Sequence, residues 1–274
     1  GDARGGTDGR SAMAKLDGRL ASQVAWHVDV HGRAQNDTKV PGWAQDEGAI
    51  RQQFGLAPTH NSRGHVPNTD ARSSGGAIGA SWLGEAGWLG LSLSTLSQNY
   101  GIPPGGHSHS HSGETSAEPV QEQVRIHARQ QRLDLRGEMS LSGKHLKKIK
   151  LRAAHTDYTH DELEAGRVST TFVNRVHELN AELEHTLLQP WLPQSEGEAT
   201  GSIGVQVSSR AFSALGNEAF APETNARQAA LFAVQGWREG AWQLELGGRI
   251  EYTAYRPQPY RLARDGEELI KQPP

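Results

Sequence analysis

The fifteen residues "AWQLELGGRIEYTAY" restrict the possible fold more than any other stretch of the chain. Trp242, Leu244, Leu246, Gly248, Ile250 and Tyr252 fall on one side of an extended backbone, and Gln243, Glu245, Gly247, Arg249, Glu251 and Thr253 on the other. A period of two over this length specifies a strand, because a helix would scatter the charges through its apolar stripe. At about 3.3 Å per residue and a tilt of ~45°, the span from Trp242 to Tyr252 is roughly 23 Å, close to the apolar band of an outer-membrane barrel with an aromatic at each edge. Ordinary soluble strands average about half that length.

The same alternation recurs. "SAMAKLDGRL" sets Ala12, Ala14, Leu16, Gly18 and Leu20 against Lys15, Asp17 and Arg19; "VAWHVDVHGR" sets Val24, Trp26, Val28 and Val30 against His27, Asp29, His31 and Arg33. "WLGLSLSTL", "IKLRAAHTDY" and "GSIGVQVSSR" follow it, and "RLDLRGEMS", "VHELNAELEHTL", "GAIGASWL" and "AALFAVQGW" follow it less cleanly, for about ten strands in all. Alternation explains why only 35% of the 274 residues are hydrophobic although the net charge of -3 is too small to favour disorder. The charged faces need water or a hydrated lumen. A soluble β-sandwich would instead bury its apolar faces against each other.

Connection lengths favour the barrel. Short turns are expected at residues 21–23, 84–87, 142–144 and 238–240, with 189–196 somewhat longer, and long connections at 34–72, 99–123, 159–170 and 211–227. Tight turns at one end and long loops at the other describe an up-and-down transmembrane barrel. The expected fold is therefore all-β, an antiparallel up-and-down transmembrane β-barrel, partial at about ten strands, with residues 1–274 forming part of one barrel domain and no plug domain. A first strand running toward the short-turn side implies at least one strand before Gly1, and "RLARDGEELIKQPP" reads as the start of another outer loop. No apolar run of about 18 residues is present for a membrane helix. With no cysteine, a disulfide framework and thiolate chemistry are excluded. "GDARGGTDGR" is not a signal peptide.

"NYGIPPGGHSHSHSGETSAEP" places His107, His109 and His111 on one side of an extended, Gly/Pro-bounded loop, where imidazoles can converge on Zn²⁺, Ni²⁺ or Cu²⁺. "HTDYTHDELE" adds His155, Asp157, His160, Asp161, Glu162 and Glu164 at a strand end and its loop, and the first long connection adds His60 and His65. Solvation of a surface loop is the plain alternative for each acidic residue. His27, Asp29 and His31 share a polar strand face, as a lumen relay or as structural hydrogen-bond partners; His127, His145, His177 and His185 show no partner in sequence. Nucleophile elbow, phosphate loop and His-Glu-x-x-His pair are all lacking, so the expectation is no enzyme and no catalytic cofactor. Balanced charge suggests no nucleic-acid surface.

"VRIHARQQRLDLRGE", "KIKLRAAHTDYTHDELEAGRVSTTFVN", "GVQVSSRAFSALGNEAFAPETNARQAALFAVQGWREGAWQLELGGRIEYT" and "AWHVDVHGRAQNDTKVPGWA", with the histidine-rich loop, resemble the early barrel of TonB-dependent outer-membrane receptors, most closely the zinc-related branch with histidine-rich loops. The resemblance covers nearly the whole chain through the order of its motifs. It implies a 22-stranded barrel with an N-terminal plug, energised through TonB, in the outer membrane of a Gram-negative bacterium. It further implies that zinc or a related divalent metal is the transported ligand, with outer-membrane lipid, the plug and the TonB system as partners. The chain departs from the pattern in lacking the plug, the TonB-contact segment, about half of the strands and the outer-loop cysteines of some members. The same barrel could instead serve a chelated iron, haem or cobalamin; a soluble β-rich binding or adhesion module with a His-rich loop is the alternative of another class.

Overall fold

Ten long antiparallel strands form one meandering sheet in the computed structural model, which describes residues 6, 8–55, 61–103, 123–186, 198–216, 222–258, 260–264 and 267–271. In chain order these are β1 (Gly9–Ala21), β2 (Val24–Gln35), β3 (Thr38–Trp43), α1 (Glu47–Phe54), β4 (Arg63–Val66), β5 (Ala71–Leu83), β6 (Gly87–Gly101), β7 (Val124–Ser140), β8 (Leu146–Glu164), β9 (Arg167–His185), β10 (Glu198–Gly216), β11 (Thr224–Glu239), β12 (Trp242–Pro257), β13 (Tyr260–Arg264) and β14 (Glu267–Lys271). The sheet order is β1-β2-β5-β6-β7-β8-β9-β10-β11-β12, so each strand pairs with its neighbours in sequence once the β3–β4 hairpin and α1 are set aside as an insertion. β13 and β14 form a separate hairpin.

The register shows what the alternation builds. One row runs Val24, Trp82, Leu89, Gly137, Leu151, Ala181, Val205, Leu231, Ile250 across nine strands. The next row on that face runs Trp26, Ala80, Leu91, Leu135, Ala153, Leu179, Val207, Ala229, Tyr252. Neither contains a charge. Between them, on the opposite face, the row reads Ala25, Ser81, Gly90, Arg136, Arg152, Asn180, Gln206, Ala230, Glu251. A continuous apolar belt outside and polar side chains inside is the arrangement of a transmembrane β-barrel wall. The belt spans Val24 to Val30 on β2 but Trp242 to Tyr252 on β12, stepping across the register rows as tilted strands require. Four of the seven tryptophans, Trp26, Trp82, Trp237 and Trp242, stand on the outward face near short turns, as an interfacial girdle would. Among the described residues only Ile126, Ala128, Ala199, Ala214 and Ala230 are buried hydrophobics, because the apolar surface is turned toward lipid instead of inward.

Two expected connections differ. Residues 34–72 hold β3, α1 and β4 instead of an irregular loop; α1 is started by Asp46, whose carboxylate accepts the Ala49 N–H, and "DEGAIRQQF" has too little apolar periodicity to announce it. The expected long connection at 159–170 is a two-residue turn at Ala165 and Gly166, both with positive φ (47° and 79°), joining two 19-residue strands. That backbone suits a tight hairpin whose twist matches its strands, and Gly166 accommodates it without strain. On the opposite end, residues 186–197 make the longest connection of the short-turn side. Each strand of the β8–β9 hairpin is about 60 Å long, roughly 42 Å of height at a tilt of ~45°, so the hairpin rises well beyond a ~25 Å apolar belt.

Candidate functional site

Alternation decides where each expected ligand points. His155, Asp157 and Asp161 occupy the odd face of β8, continuous with the outward apolar rows, whereas His160 occupies the even face with Tyr158 and Glu162. The "HTDYTHDELE" residues thus belong to a strand and divide between two sides of the wall. On the outward side, His155 Nε2 lies 2.9 Å from Asp157 Oδ2, and Asp157 Oδ1 forms an ion pair with Arg175 Nε at 3.2 Å. His177, directly opposite on β9, stacks on His155 with ring centroids 4.4 Å apart. Thr171 Oγ1 donates to Asp161 at 2.7 Å. On the inward side, His160 meets Tyr158 through Nδ1 at 3.2 Å, Glu162 through Nε2 at 3.7 Å, and the edge of Phe172. Among the described residues, no group of three or more His, Cys, Asp and Glu side chains is arranged to hold a metal ion. His107, His109, His111 and His60 lie outside the described residues; His65 lies in β4.

The lumen face is a mosaic of ion pairs. Arg132 contacts Asp134 at 2.9 Å and Glu178 at 3.5 Å; Arg136 reaches Asp134 at 3.6 Å. Lys148 pairs with Glu138, and Lys150 with Glu182 and Glu184. Arg249 pairs with Glu251, which also accepts Gln228. Arg152 faces Arg136 across β7 and β8, in a polar cavity of about 360 Å³ that also contains Arg132, Asp134 and Glu178. Directly opposed like charges are destabilising in a sheet unless something anionic joins them. On β2 the His27 and His31 rings lie across Gly79 and Gly75 of β5: a Cβ at Gly75 would sit 2.8 Å from His31, so the glycines let both imidazoles lie flat along the wall. Four residues apart on a strand, roughly 13 Å, His27 and His31 cannot share one ion.

The long-loop rim is held by Arg125. Its guanidinium forks onto Asp70 at 2.8 and 3.0 Å and also donates to Asn68 and Asn99; the Asn68 amide in turn donates to the carbonyls of Ile102 and Val124. Asn99 meets His127 at 2.7 Å, a partner that no sequence spacing reveals because β6 and β7 are joined by a long connection. Hydrogen bonding to Arg125 holds the Asp70 carboxyl below its ordinary range of about 3.8. A depressed carboxylate contributes stability above the ordinary value and loses it as pH falls through the folded-state value. Asp70→Asn is expected to cost about 1 kcal/mol, the upper end for an exposed pair because the fork is bidentate. Limited proteolysis within residues 36–70 should then run about fivefold faster at neutral pH. As the pH falls through the depressed folded-state value, Asp70 becomes protonated in both states and the difference should vanish; a difference persisting in strong acid would refute the ion-pair explanation.

No family model matches the chain. Among solved structures, the copper transporter OprC is similar with a TM-score of 0.58 at 11% identity, over 99% of this chain and 40% of that one. FpvA of P. aeruginosa, in a structure with heterologous pyoverdines and iron, is similar with a TM-score of 0.55 at 10% identity, over 97% of this chain and 38% of that one. The likeness shows the fold, a piece of an outer-membrane-type β-barrel wall. The chain spans about two fifths of the length of these structures.

Proposed function

We propose that residues 1–274 are part of the barrel domain of a TonB-dependent outer-membrane receptor that imports zinc or a related divalent metal. One observation carries this reading: an uncharged outward belt across nine strands backs onto an ion-paired lumen face. The likeness to a copper transporter and to an iron-pyoverdine-bound protein supports a metal or metal complex as cargo. The mechanism is binding, not bond-making: His107, His109 and His111 concentrate the ion at the rim, and the hydrated lumen face with His27, Asp29, His31 and His160 offers onward N and O ligands. The plug and the TonB system would gate and energise passage, in the outer membrane of a Gram-negative cell. Replacing His107, His109 and His111 together by Ala in the full receptor is expected to raise the zinc concentration for half-maximal uptake about tenfold, ~1.4 kcal/mol of lost capture. Unchanged uptake at limiting zinc would remove the loop from the mechanism.

A second reading keeps the barrel and changes the cargo to an anionic chelate of iron or a related complex. It is favoured by the opposed Arg136 and Arg152, which suit an anionic group and repel a bare cation. Under this reading Arg152→Gln should lower uptake of a ferric chelate several-fold, on the order of 1 kcal/mol for one lost charged hydrogen bond, and leave zinc uptake no lower. Equal uptake of the chelate by both forms would dismiss it.

A further inference from the structure

The ladder between β6 and β7 has to end where the chain leaves for the connection that carries His107, His109 and His111. Gly101 and Arg125 are the last register pair, and the Ile102 N–H still donates to the Val124 carbonyl at 3.0 Å. Pro103 and Pro104 follow, and neither has an N–H with which to continue the ladder. At this end the Ile102 carbonyl accepts from outside the hairpin. The donor is the Asn68 amide, whose Nδ2 lies 2.7 Å from the Ile102 carbonyl and 2.8 Å from the Val124 carbonyl. A single side chain that follows β4 therefore spans both ends of the next long connection.

Everything around Asn68 fixes that amide in place. Its backbone is left-handed, with φ of 58°, a conformation that asparagine tolerates better than most residues. The two N–H groups that follow it, of Thr69 and Asp70, both donate to Asp37 Oδ1, at 2.8 and 2.9 Å. Its own Oδ1 accepts Arg125 Nη1 at 3.2 Å, which turns the NH₂ group toward the two carbonyls. The side chain is only 7% exposed, so each bond forms away from water, where an unmade one is costly. On the neck side the fit depends on Gly101: a Cβ there would collide with both the amide oxygen and the carbonyl oxygen of Asn68. Gly101 also donates its N–H to the Asp70 carbonyl at 3.2 Å.

We infer that Asn68 is a positioning residue for ion capture: it touches no ion, and it sets the point from which the histidine-bearing connection departs. The inference rests on the capture role proposed above for His107, His109 and His111. Covalent geometry gives the departure point its importance. At no more than about 3.6 Å per residue, His107, five residues beyond Ile102, lies within roughly 18 Å of it. Without the Asn68 amide the end of the ladder frays, and Gly101 and Ile102 join the tether. Seven residues in place of five dilute a tethered imidazole at the mouth about twofold, because local concentration falls roughly as the −3/2 power of tether length or more steeply. Arg125 and Asp37 act one step further back, by holding Asn68.

The test measures zinc uptake by the intact receptor in cells, normalised to its abundance in the outer membrane. Asn68→Gly keeps the left-handed backbone and removes only the amide. It should raise the zinc concentration for half-maximal uptake about twofold and leave the maximal rate unchanged. Asn68→Asp is nearly isosteric but turns a carboxylate oxygen toward two carbonyls, so it should raise that concentration at least as much. Gly101→Ala, which displaces Asn68 without altering it, should act in the same direction, and should add little to Asn68→Gly. In a receptor with His107, His109 and His111 all replaced by Ala, Asn68→Gly should have no further effect, because nothing remains to be positioned. A wild-type half-saturation in Asn68→Gly, a fall in its maximal rate, or an undiminished effect in the triple-Ala background would each overturn the positioning role. If the triple-Ala receptor itself takes up zinc like wild type, the capture reading falls and the positioning role falls with it. A raised half-saturation in triple-Ala alone, with Asn68→Gly like wild type, removes only Asn68.

Discussion

Leu231→Arg is expected to cost about 2–4 kcal/mol of stability in a bilayer, and Val234→Arg, three residues along the same strand, much less. Leu231 stands between Val205 and Ile250 in the uncharged row, on the outward face, near the middle of the belt. A guanidinium there has hydrocarbon on all sides and can reach water only by deforming the bilayer or snorkelling along β11. Val234 points to the other face, where Ser202 is its register partner and Glu184 stands one strand further, so an arginine there finds both water and a carboxylate. Urea titration of the two variants of the intact protein, refolded into phosphatidylcholine vesicles, measures the difference directly. Abundance in the outer membrane should follow the same order, because a few kcal/mol is a large part of a typical domain's net stability. Equal costs at both positions would show that the two faces see the same surroundings, which no membrane barrel permits.

How far the sequence reveals this arrangement depends on where a strand sits. Within the belt, lipid outside and water inside force side chains to alternate, so Trp242 to Tyr252 and Val24 to Val30 are readable directly, and the strand count of ten in the main sheet agrees. Above the belt both faces meet water and the constraint lapses. "THDELEAGRVSTTF" therefore looks like a loop although β8 and β9 run through it to a two-residue turn. The same lapse explains the candidate ligands. Spacing suggested that His155, Asp157, His160 and Asp161 gather at one mouth; the pleat separates His160 from the other three. Partners such as His155 with His177, Asn99 with His127, and Arg125 with Asp70 lie between 22 and 55 residues apart. They follow from register, which one-dimensional spacing does not contain unless every connection length is known. The tryptophan girdle is present as letters, but it becomes a belt only once ten strands are laid in register.

In plain aqueous buffer the chain is expected to aggregate, and in detergent micelles to remain dispersed with strand-type circular dichroism. Leu16, Ile78, Leu231, Leu246 and Ile250 are 61–79% exposed on the outward face, in a continuous surface far larger than soluble monomers leave uncovered. Shielding each such side chain from water contributes about 1.5–3 kcal/mol, and with dozens of belt residues the driving force for association exceeds any net charge repulsion available at -3. β1 and β12 are the edges of the sheet, with 13 and 16 residues of strand whose outer N–H and C=O groups have no strand partner among the described residues. Edge-to-edge pairing between copies satisfies those groups and the apolar faces together, so association should be strand-mediated and hard to reverse. Detergent covers the belt but not the edges; dispersal in micelles should therefore be complete for the belt's contribution and concentration-dependent for the edges'. Lys substituted at Ile250 and Tyr252 on β12 should reduce aggregation in water, while the same changes lower retention in micelles. A monodisperse monomer with a sharp, reversible unfolding transition in plain buffer would mean that the apolar faces cover one another, as in a soluble β-sandwich. The binding-module alternative would then displace the membrane barrel.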